Sequence, residues 1–156
     1  MKQQTNESPG YAACMAMAEP LTIPRLGGRM IGRVKRGETL RFIRQKVCCD
    51  FAGTIRGTGE GRLLLVDFKR CEVRDVFPVN DSTVKPHQID ELVRHGRQNA
   101  LAGLLIEAAA HERFYWCSWT ALASTNRCTR IRYSVMRDLG QSNVVPDLRK
   151  VIKEIP

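Results

Sequence analysis

Five residues, Gly57-Thr58-Gly59-Glu60-Gly61, interrupt two strand-like runs, and no other feature constrains the chain as strongly. Three glycines in five positions give the backbone access to left-handed conformations, so the segment reads as a turn. The runs on either side, 47–55 and 62–70, then form a β-hairpin. The second run ends Leu63-Leu64-Leu65-Val66-Asp67-Phe68-Lys69. Strand side chains alternate between faces with a period of two, so Asp67 and Lys69 point the same way and Phe68 points the other way.

An Asp-x-Lys triplet by itself reads as a surface salt bridge, which contributes little. Here Asp67 follows four apolar residues and so emerges from a buried strand, where a charge must be paired or bind metal. Asp50 lies upstream in Val47-Cys48-Cys49-Asp50-Phe51-Ala52-Gly53-Thr54. If it ends or bends the neighbouring strand, two carboxylates and one lysine converge. That set suits an oxygen-ligated Mg²⁺ and the water it activates.

Composition restricts the partners. The chain has 156 residues, is 43% hydrophobic, and carries a net charge of +9. It is long enough for one domain with a real core. The charge favours polyanions, nucleic acid before an anionic membrane surface. No apolar run approaches the ~20 residues needed to span a bilayer. The polar N-terminus lacks the pattern of a signal peptide, and a cytoplasmic protein is expected. Six cysteines (Cys14, Cys48, Cys49, Cys71, Cys117, Cys128) show no zinc-ligand spacing and read as free thiols in a reducing compartment.

Residues 1–32, rich in Gly, Pro and small side chains, are expected to be a mobile arm with little regular structure, followed by a single domain over 33–156. A basic stretch at their junction includes Arg33, Lys35 and Arg36. A short helix is expected over 37–46, from Leu40 and Ile43. Segment 71–86, with Pro78 and Pro86, reads as a long loop or protrusion. Pro86 then opens a helix with an apolar stripe at Ile89, Leu92 and Val93. Residues 100–108 read as a buried strand, His111-Glu112-Arg113 as a turn, and 114–119 as an aromatic strand. The basic remainder is expected to be helical, in two pieces separated by Pro146. Tyr115, Trp116 and Trp119 could stack on bases, but sheet alternation favours core packing. The three histidines read as secondary. The order of elements predicts an α/β domain with a mixed sheet flanked by helices.

Taken in order, Asp50-Phe51-Ala52-Gly53 with Arg56-Gly57, then Val66-Asp67-Phe68-Lys69, Phe77-Pro78 and His87-Gln88-Ile89 resemble the RecU-type Holliday junction resolvases. These belong to the PD-(D/E)xK nuclease superfamily, with the restriction-endonuclease-like fold. The resemblance spans roughly 35–120. It implies that Asp50 and Asp67 ligate Mg²⁺ or Mn²⁺, that Lys69 is the catalytic lysine, and that Gln88 lies near the active site. It also implies a homodimer acting on four-way DNA junctions. The family's Thr two residues before the first Asp is here Cys48. Its Arg-Gly-x-x-Leu-Glu motif reads Arg36-Gly37-Glu38-Thr39-Leu40-Arg41, so Arg41 stands at the Glu position and Glu38 is a substitute only if the helix is rotated.

The expected function is thus Mg-dependent, structure-selective DNA cleavage in recombination or phage DNA processing. The expected DNA contacts are Arg33, Lys35, Arg36, Arg56, Arg74 and Lys85. The alternatives are a non-catalytic basic DNA-binding accessory protein and a related nuclease acting on flaps, nicks or duplex.

Overall fold

A computed structural model describes residues 8–21, 30–36, 39–44, 49–57, 61–125 and 130–152, of which 30–36 and 39–44 are described as backbone. The sheet is organised around one strand, β5 (Leu63–Cys71). On one side it pairs antiparallel with β4 (Phe51–Ile55), Phe51 opposite Val66 and Thr54 opposite Leu63. The expected hairpin forms, and Gly57 (φ 75°) and Gly61 (φ 73°) take the left-handed conformations that its turn requires. On its other side β5 runs parallel to β7 (Leu101–Ala108), Asp67 opposite Leu104 and Lys69 opposite Ile106. A parallel pair needs a crossover, which here passes through β6 (Val76–Pro78) and α2 (Pro86–Arg97).

Three further strands complete a six-stranded sheet in the order β1-β4-β5-β7-β8-β10: β1 (Ala18–Pro20), β8 (Arg113–Ser118) and β10 (Arg137–Gln141). Helices α1 (Pro9–Met17) and α4 (Arg149–Ile152) cover one face, over Leu64, Val66, Leu105 and Trp116. The other face, with Leu65, Leu104, Ile106 and Cys117, packs under α2 and α3 (Trp119–Ser124). Gly96 lets those two helices touch: a Cβ there would stand 2.2 Å from Trp119 Cγ. This is the mixed sheet flanked by helices of a restriction-endonuclease-like fold. The four described cysteines, Cys14, Cys49, Cys71 and Cys117, are buried free thiols. No helix among the described residues is long and apolar enough to cross a membrane.

Several segments differ from the sequence expectation. Residues 9–20 are not an irregular arm. Ser8 caps α1 by accepting from the Tyr11 amide at 3.2 Å, and Ala13, Cys14 and Met17 are buried. Small side chains gave that stretch little amphipathic contrast, although they suit close packing on a sheet. The helix expected over 37–46 is instead β3 (Thr39–Arg44), paired with β2 (Met30–Arg36) in a separate two-stranded sheet. Pairing with a neighbour overrides the weak helical spacing of Leu40 and Ile43. Segment 71–86 is anchored rather than protruding: β6 pairs with β9 (Arg130–Arg132), and Phe77 is buried. The tail is helical only in part: the strands β9 and β10 (Arg137–Gln141) precede Pro146, and the short α4 follows it. Trp119 begins α3 instead of ending β8.

Candidate active site

The carboxylate cluster arises where β4 stops and β5 continues. The Asp50 amide still donates to the Val66 carbonyl at 3.1 Å. Two residues further along β5, the Asp50 side chain stands where a ladder carbonyl would, accepting from Phe68 N–H at 2.8 Å. A carboxylate that substitutes for a ladder carbonyl is held beside the strand it caps. The side chain of Asp67 lies on this same strand and is almost fully buried, at 1% exposure.

Asp67 has two further polar neighbours. Lys69 Nζ lies 2.7 Å from Oδ2, as same-face geometry requires. Gln88 Nε2 donates to Oδ1 at 3.3 Å. Gln88 is the third residue of α2, and its Oε1 accepts from the Lys85 amide at 3.1 Å. That bond occupies the amide oxygen and turns the NH₂ towards Asp67, as in one half of a capping box. Burial pushes the Asp67 carboxyl up to about 7; the Asp50 charge adds to the rise, and Lys69 opposes it. Asp50, Asp67, Lys69 and Gln88 thus come together.

The expected DNA contacts are dispersed. Arg33, Lys35 and Arg36 lie along β2. Arg56 is exposed and paired with Glu19 at 2.8 Å, while Arg74 and Lys85 are exposed between β5 and α2. Arg41 lies on β3, and Glu38 falls outside the described residues. Arg41 is therefore carried by a strand and not by a helix. The helix that packs beside β4 and β5 is α1, Pro-Gly-Tyr-Ala-Ala-Cys-Met-Ala-Met, and it contains no acid. His95 is engaged by Glu91 and Arg94, and His111 by Tyr115. Tyr115 and Trp116 are buried, in keeping with core packing.

Sequence reading missed the amides of Phe68 and Lys85, which orient Asp50 and Gln88. The second had a signal: proline at the first helical position with glutamine two residues later. Among the described residues no group of three or more His, Cys, Asp or Glu side chains is placed to hold a metal. The cluster therefore offers two carboxylates, both hard oxygen donors. The mutual repulsion that helps raise the Asp67 carboxyl is what a divalent cation would relieve, so the residues fit Mg²⁺ or Mn²⁺ better than a softer ion.

A search of curated proteins returned no match. A family model described as recombination protein U matches residues 30–143, well over half of the chain. With that match extending across the carboxylate cluster, the crossover and most of the sheet, the chain belongs to the recombination protein U family.

Proposed function

We propose that the protein is a metal-dependent, structure-selective DNA endonuclease that resolves four-way junctions as a symmetric homodimer. The observation that carries this reading is the convergence of Asp50, Asp67, Lys69 and Gln88 at the end of the β4–β5 ladder. Asp50, Asp67 and the Phe68 carbonyl would hold Mg²⁺ or Mn²⁺, with water and a phosphate oxygen as the remaining ligands. When bound, the ion supplies Lewis-acid stabilisation of the phosphate and a more acidic water. Lys69 orients the attacking water and offsets charge that develops on the phosphate. Gln88 holds Asp67 in place through its amide. The basic strand β2, with Arg33, Lys35 and Arg36, supplies non-sequence-specific attraction to phosphates. A two-fold dimer matches the two symmetric cuts that a four-way junction requires.

One observation favours a second reading. Among the described residues no third His, Cys, Asp or Glu side chain joins Asp50 and Asp67 to form a metal-holding group. A chain that binds branched DNA without cutting it is consistent with this. A cleavage assay with Mg²⁺ or Mn²⁺ on a four-way junction, a flap and a linear duplex separates the readings. Paired symmetric cuts in the junction, lost in Asp67→Ala while binding persists, are expected. Tight junction binding with no cleavage by the wild-type chain under either metal would establish the accessory role instead.

A further inference from the structure

The short ribbon of β6 and β9 presents two unlike faces. In its register Phe77 lies opposite Ile131, and both are buried in the core. Val76 lies opposite Arg132 and Pro78 opposite Arg130, so both arginines are on the outward face, and both are exposed. Residues two apart on a strand are separated by ~6.8 Å, comparable to the step between successive phosphates of one DNA strand.

Several other arginines are neutralised locally. Arg56, Arg70, Arg113 and Arg149 each lie against an acid at 2.8, 3.1, 2.8 and 2.9 Å respectively. Among the described residues, Arg130 and Arg132 form no ion pair. Of the acids bordering the same cavity as Arg132, Asp138 is held by Arg113, which leaves only Asp75. Two adjacent unneutralised guanidinium groups on a short strand contribute nothing to stability through pairing, but they suit a polyanion.

The ribbon is also tied to the carboxylate cluster. Its β6 strand lies within the crossover between Lys69 on β5 and Gln88 on α2, and β9 is paired to it. Thr83 Oγ1 donates to the Pro78 carbonyl at 2.6 Å and accepts from the Asn80 amide at 3.1 Å. The Thr83 and Val84 amides both donate to the Asn80 carbonyl at 3.0 Å. That hydrogen-bonded turn leads directly into Lys85, whose amide orients Gln88.

We infer that β9 is a contact strip for the sugar-phosphate backbone of a duplex arm leading into the carboxylate cluster, with Arg130 and Arg132 each meeting a phosphate. The inference rests on the DNA-processing reading above and extends it to a strand that no motif singles out. Because the contacts are to phosphate, they are indifferent to sequence and to branching.

The test is binding of linear duplex and of a four-way junction, in EDTA, across a salt series, by fluorescence anisotropy. Arg130→Gln with Arg132→Gln should lower the slope of log affinity against log salt by about 2, from ~0.9 per phosphate contact. At low salt it should weaken both DNA forms alike, on the order of tenfold. The double lysine variant should retain the slope, and Arg149→Gln, whose arginine is already held by Asp147, should change nothing. Circular dichroism of each variant should match the wild type, since both arginines are exposed. Wild-type binding with an unchanged slope in the double glutamine variant overturns this inference alone. A loss confined to the junction overturns it too, by making β9 a reader of branching. A wild-type chain that binds neither DNA overturns the DNA-processing reading and this inference together.

Discussion

Replacing Asp67 with asparagine should make the metal-free protein more stable at pH 8 while abolishing cleavage. Asp67 is 1% exposed, and its carboxyl is pushed up to about 7 by burial and by Asp50. In the unfolded chain it titrates near the ordinary value of ~3.9. An acid with a raised folded pKa binds its proton more tightly in the folded state, so stability falls as pH rises between the two values and stays low above the upper one. A shift of about three units corresponds to about 4 kcal/mol at pH 8, at ~1.4 kcal/mol per unit. That figure already includes the attraction to Lys69 Nζ at 2.7 Å, but the asparagine NH₂ must then face a donor, either Lys69 Nζ or Gln88 Nε2. A net gain of roughly 2 kcal/mol is expected, or ~4–8 °C in Tm for a chain of this size. Thermal melts in EDTA at pH 8 and pH 5 measure it, and the gap should narrow at pH 5. Mn²⁺ should raise the wild-type Tm by binding only the folded state, and should raise that of Asp67→Asn much less. A variant that melts below the wild type in EDTA at pH 8 would refute the view that Asp67 is held under electrostatic strain that a cation relieves.

Other substitutions probe the same architecture. Lys69→Ala should reduce cleavage by several orders of magnitude yet leave Mn²⁺-induced stabilisation largely in place, whereas Asp50→Ala should diminish both; cleavage and melting assays separate them. Gln88→Ala should lower kcat more than junction affinity, on the order of tenfold or more in single-turnover cleavage, because it loosens Asp67 without touching DNA. Gly96→Ala should destabilise by about 3 kcal/mol or more, read by urea unfolding, since a Cβ 2.2 Å from Trp119 Cγ forces α2 and α3 apart. Replacing 30–44 with a short turn should weaken binding of junction and linear duplex alike and lower its salt dependence, by competition binding, and an unchanged affinity would remove β2 and β3 from DNA contact.

Much of the site was legible because its signals are local. Alternation places Asp67 and Lys69 on one face whatever surrounds them, and the glycine-rich turn dictates the hairpin that brings β4 beside β5. Pro86 opens a helix that carries Gln88 in its first turn. The elements that were misread are those whose identity depends on a partner. Nothing within Thr39–Arg44 distinguishes a strand from a short helix until Met30–Arg36 pairs with it. The stretch Pro9–Met17 has too little polar contrast to announce a helix until it lies against the sheet.

The sequence by itself determined which side chains could do the chemistry and which of them share a strand face, since strand period and turn chemistry are properties of a few consecutive residues. Tertiary structure alone decided that β4 begins one residue after Asp50, so that its carboxylate satisfies Phe68 N–H and comes beside Asp67. It also decided how deeply Asp67 is buried, and hence that its proton is held so tightly. Ladder length and desolvation are set by contacts between residues far apart in the chain, which no local pattern records.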